Sequence, residues 1–93
     1  MSIKPIELTE KHKEMLLEMC NELFPECGFE WFANELRFLD HPKDKYLTFI
    51  HWFEFCLMHV VPKLLKSHLD KEEFYLYIND SNPIEYLYKY FKN

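Results

Sequence analysis

Side chains able to do chemistry are densest at His51, Glu54, Cys56 and His59, all within nine residues. Such groups serve metal ligation, thiolate attack or carboxylate acid–base transfer. On a helix, Cys56 and His59 are three residues apart and share a face, so they can chelate together. His51 and His59 are eight residues apart, about 12 Å along a helix axis, too far to share an ion unaided. The spacing is neither His-Glu-x-x-His nor Cys-x-x-Cys. A metal site would have to complete Cys56 and His59 with His12, Cys20 or Cys27. A nucleophilic thiol needs an accessible electropositive pocket with a base. Cys56 falls on an apolar face, Cys27 beside Gly28 is the more open thiol, and no Asn or Asp stands out as an orienter. Glu54 lies between Phe53 and Phe55, where burial would raise its pKa and suit it to general acid work. The commoner fate of such a carboxylate is a hydrogen bond or ion pair with a Tyr, a Lys or Arg37, and that is the expectation here. The single glycine, Gly28, leaves no glycine-rich phosphate cradle. The leading reading is therefore no enzyme, no cofactor and no metal ligand. Metal binding through Cys56 and His59 is the alternative.

The segment from His51 to Lys66 must position these groups. As a helix it is apolar on nearly every side except one stripe, His51, Phe55, His59, Pro62 and Lys66, at spacings of 4, 4, 3 and 4. A helix so apolar has to be wrapped by the rest of a small domain. A helix over 51–68 is thus the expected hub, with the stripe its one outward face. Pro62 on that stripe predicts a kink rather than an end.

Thr9, with Glu10 behind it, starts a helix over 9–24 whose apolar face is Met15, Leu16, Met19, Cys20 and Leu23; Pro25 stops it. Asn82-Pro83-Ile84-Glu85 opens a last helix over 83–92, with Ile84, Leu87, Tyr88 and Phe91 inward. Lys89 and Lys92 complement its dipole. Residues 29–50 fit two patterns. Phe29, Phe32, Ala33, Leu36 and Leu39 trace a helical face, but Trp31 and Phe38 then point away from it. Strand formers at 35–39 and 46–50 around a Pro42 loop favour a hairpin, and Phe74 to Ile78 alternates like a strand. The expected fold is α+β: one domain over 1–93, with three helices on an antiparallel sheet of 35–39, 46–50 and 74–79. An all-α bundle is the alternative.

Sixteen acidic against 11 basic residues give a net charge of −5, with no basic stripe for nucleic-acid phosphates. No apolar run is long enough to span a membrane. The opening Met-Ser-Ile-Lys-Pro lacks the apolar core of a secretory signal, and three cysteines without regular spacing fit free thiols, so a cytoplasmic protein is expected. Nine Phe, six Tyr and two Trp exceed what a core this size hides easily. Aromatics left outside commonly anchor interfaces. The expected binding residues are His51, Phe55, His59 and Lys66 on the hub helix, and Tyr86 and Tyr90 on the outer side of the last one. The partner is expected to be a protein or a second copy of the chain, the latter giving a structural homo-oligomer.

Two stretches, Ile50-His51-Trp52-Phe53-Glu54-Phe55-Cys56-Leu57 and Asn82-Pro83-Ile84-Glu85-Tyr86-Leu87-Tyr88, resemble short proteins encoded by gut Bacteroidales bacteria and their phages, including crAss-like phages. The resemblance covers about a sixth of the chain and supplies no functional residues. It implies a setting: an intracellular accessory protein made during phage growth, or a prophage remnant, of a kind that often acts by binding a host enzyme.

Overall fold

The computed structural model describes residues 6–93. The Met1–Pro5 stretch, read above for leader character, lies outside the described residues. Those residues form helices only, in the order α1 (Glu10–Leu23), α2 (Phe29–Leu39), α3 (Lys45–Phe55), a π-helical segment (Cys56–Val60), α4 (Val61–Leu64), α5 (His68–Tyr77) and α6 (Pro83–Lys92). The α+β expectation is overturned, and the all-α alternative describes the molecule.

The expected strands fall in helices for local reasons, the last of them running two residues past the end of its helix. Residues 35–39 belong to α2, which buries Phe32 and Leu36 one turn apart. Gly28, at φ 80°, caps α2 from the left-handed region, where a glycine is needed although a Cβ there would meet nothing. Residues 46–50 open α3 because the Asp44 carboxylate accepts from the Tyr46 and Leu47 amides at 3.0 and 3.1 Å. Phe49, Trp52, Phe53 and Cys56 then follow at spacings of three, one and three, all buried. Residues 74–77 close α5, which a Ser67–Asp70 capping box starts. Phe74 and Ile78 are buried four residues apart while Tyr75 and Leu76 are exposed, a period near 3.6 rather than 2.

α3, the π segment and α4 run on as one long helix that starts and ends before the expected 51–68 bounds. Its successive parts pack on α2, α1 and α6. Pro62 neither ends nor sharply breaks it. Proline offers no amide to the preceding turn, and just ahead of it the Val61 N–H reaches back five residues to the Cys56 carbonyl. Beyond Pro62 the Leu65 N–H closes on the Val61 carbonyl at 2.8 Å. Thr9 caps α1 and Asn82 caps α6, donated to by the Ile84 amide at 2.8 Å.

Asp40, at the end of α2, ties three helices together. One carboxylate oxygen accepts from the buried Trp52 indole at 2.8 Å, the other from the Lys13 ammonium at 3.0 Å. The Lys92–Glu18 pair at 3.0 Å joins α6 to α1. No helix among the described residues is long and apolar enough to cross a membrane.

Candidate interaction groove

Glu35 and Leu39 of α2, with His51, Glu54 and Phe55 of α3 and Met58 and His59 of the π segment, line a shallow groove of about 170 Å³. Phe55 forms its floor. That ring is only 7 % exposed, packed edge-on against Phe32 with centroids 6.3 Å apart and covered by His59 at 4.9 Å. Phe55 was expected on the outward stripe and is instead a core residue. The face that opens to solvent is shifted to one side, through Glu54, Met58 and Pro62. The cause is α2, whose Phe32 occupies the Phe55 side of the helix. At one end the His41 and His51 rings lie 5.4 Å apart.

Met58 on the groove wall is 70 % exposed, and Phe38 of α2, next to the lining residue Leu39, is 84 % exposed. Trp31 and Phe38 flank Glu35 at helical spacings of four and three, so the three share one face of α2. Trp31 packs one ring edge on Phe32 at 4.8 Å and remains half-exposed.

Two carboxylates lie in this apolar setting, and no Lys or Arg lines it. Among the described residues neither Glu35 nor Glu54 enters an ion pair. The partner expected for Glu54 within the chain is absent there: its carboxylate is exposed, and no hydrogen bond reaches it from Arg37 or a tyrosine.

The remaining expected binding residues lie elsewhere. Lys66 follows the end of α4 in the exposed link to α5 and is not part of the groove. Tyr86 fills the α5–α6 seam, 5.4 Å from Phe74 and 4.9 Å from Tyr77 between centroids. Tyr90 stacks beyond it at 6.5 Å and donates its hydroxyl to Asp70 at 3.1 Å. Burial, with Glu73 and Asp70 nearby, raises the Tyr86 pKa, and the Asp70 hydrogen bond raises that of Tyr90. Both tyrosines thus join α5 to α6.

The ligands proposed for a metal do not converge. Cys56 is completely buried and its thiol is pushed far up by burial, then by Cys20 beside it. Burial likewise pushes Cys20 up to about 12. His59 faces solvent, and His12 is engaged at the α1 cap and with Glu85 at 3.4 Å. Among the described residues no three His, Cys, Asp or Glu side chains are placed to hold one ion.

Sequence reasoning missed Trp31, Glu35, Phe38 and Met58. The signal was present: Trp31 and Phe38 are seven residues apart, about two helical turns, on the side opposite the apolar face. Compared with protein-family models, with curated proteins and with solved structures, the chain matches none.

Proposed function

We propose that this chain is a non-enzymatic module that binds another protein in the groove between α2 and the long helix. The exposure of Met58 on the wall of a groove floored by Phe55, with Phe38 exposed three residues on from the wall residue Glu35, carries this reading. Apolar side chains left open at a groove on a small acidic domain offer a surface that a partner can cover. Trp31 adds the aromatic, rotamer-poor contact area that interface centres favour. The setting that goes with it is the cytoplasm of a host cell. The likeness to phage-encoded proteins there makes a host protein the partner class. Metal binding through Cys56 and His59 fits less well, because the buried thiol and the outward imidazole share no site.

Affinity capture from a Bacteroidales lysate, read by mass spectrometry, tests the proposal. Wild type should retain a stoichiometric protein that the Phe38→Asp/Met58→Asp variant loses while keeping its helical circular dichroism. Equal capture by both would reject the groove. Phe55→Asp is unsuitable as the probe, since a charge against Phe32 would disrupt the core.

A further inference from the structure

We infer that the groove takes an amphipathic helix carrying Lys or Arg beside an apolar anchor. The inference rests on the interaction reading above and names its partner. Charge is the first argument. Glu35 on one wall and Glu54 on the other are not paired within the described chain, and no Lys or Arg lines the groove. The whole chain carries −5. A cationic partner completes both carboxylates and is steered in by the net charge, whereas an acidic one would face repulsion.

Shape is the second argument. The groove runs between the faces of two helices, the setting into which a helix lays side chains at i, i+3 and i+4. Leu39, Phe55 and Met58 line it together with the two carboxylates, and Phe38, next to Leu39 in α2, is exposed. Met58 is unbranched and adapts to the anchor it meets. No strand exists among the described residues, so an extended segment finds no sheet edge there to pair with. A second copy docking by the same face would bring acidic groove against acidic groove, since no Lys or Arg lines it on either copy.

The test uses three synthetic peptides. One places leucines and lysines at helical spacing, the second scrambles the same composition so that no apolar face forms, and the third replaces each lysine by glutamate. Binding is followed by amide shifts of the labelled full chain and by Trp31 emission. The helical Lys/Leu peptide should bind saturably and shift the groove amides, with the other two far weaker. Glu35→Gln/Glu54→Gln, both at exposed or half-exposed positions, should fold normally and bind about tenfold more weakly, with a flatter salt dependence. Unchanged binding by that variant would overturn the inference, as would equal binding of the scrambled peptide. Dimerisation in light scattering that Phe38→Asp abolishes would also overturn it, by making a second copy the occupant. The same variants separate this inference from its premise. A lysate partner lost with Phe38→Asp/Met58→Asp but fully kept with Glu35→Gln/Glu54→Gln leaves the groove a binding site and removes the basic helix. A partner kept by both removes both.

Discussion

Glu54 and Phe55 are neighbours in the chain and have opposite fates. Phe55 turns onto Phe32 and is sealed, while Glu54 faces water at the groove with no partner in the described chain. One residue is about 100° of helix rotation, enough to separate core from surface. The thiols follow the same logic. Cys20 and Cys56 lie in the core with strongly raised pKa values, whereas Cys27 is exposed beside Gly28. Reaction requires an accessible thiolate. Under native conditions near neutral pH a disulfide reagent should therefore modify Cys27 alone, with the other two thiols appearing only after denaturant is added. Rapid release of two or more equivalents from the native protein would contradict the buried placement of Cys20 and Cys56.

At the scale of elements, the π segment is the least regular feature and the most informative. It holds one residue more than an α-turn would, since Val61 bonds back five residues rather than four. The flanking faces, with Phe53 and Phe55 before it and Val61 and Leu65 after it, are packed with that extra residue in place. Deleting the exposed Met58 should convert the segment to regular α-helix and leave both faces directed inward. The expected loss is about 1–2 kcal/mol by chemical denaturation, with cooperative unfolding kept. Deleting Glu18 from regular α1 should instead rotate Met19, Cys20 and Leu23 by about 100° away from their core positions and abolish the cooperative transition. Similar outcomes for the two deletions would argue against the π insertion. α5 carries a second open face, with Leu69 and Leu76 each 72 % exposed one heptad apart.

For the whole molecule, the shifted groups point mostly one way. Burial raises Cys20 from 9.0 to about 12. The Asp40 hydrogen bond raises Lys13, the Glu18 hydrogen bond raises Tyr88 and Lys92, and burial raises Tyr86. A group raised on folding holds its proton longer in the native state. Its contribution is complete below the unfolded value and declines as pH climbs through the folded one. Stability should therefore be level near neutrality and fall from about pH 9 upward, first through the thiols and then through Tyr and Lys. Glu7, held down by Lys45, and Glu18, held down by Tyr88 and Lys92, act oppositely and lose their contribution as pH falls through the usual carboxylate range. Glu7 is exposed and Glu18 half-exposed, so these two add little to the acid side. Urea midpoints measured across the pH range check this, and a midpoint unchanged between pH 9 and 11 would contradict it.

Elements with a self-contained signal were legible in the sequence. Thr9 and Pro25 bracket α1, and Asn82-Pro83 opens α6, because caps and breakers act within a turn or two of chain. The apolar character of the long helix and its central place were legible too. The tertiary structure decided everything that depended on a neighbour. Residues 46–50 and 74–78 are good strand formers, yet strand propensity is weak beside packing. Once Phe49 and Phe74 are buried on helical faces, no strand remains to pair. Trp31 and Phe38 weighed against a helix at 29–39 because they oppose its apolar side. In the fold both stand outward, exposed to solvent. Of the six expected binding residues, His51, Phe55 and His59 meet at that groove, while Tyr86, Tyr90 and Lys66 lie elsewhere. Spacing along one helix sets which side chains share a face. Only the packing of α2 against that face determines which are covered and which carboxylates are left without a partner.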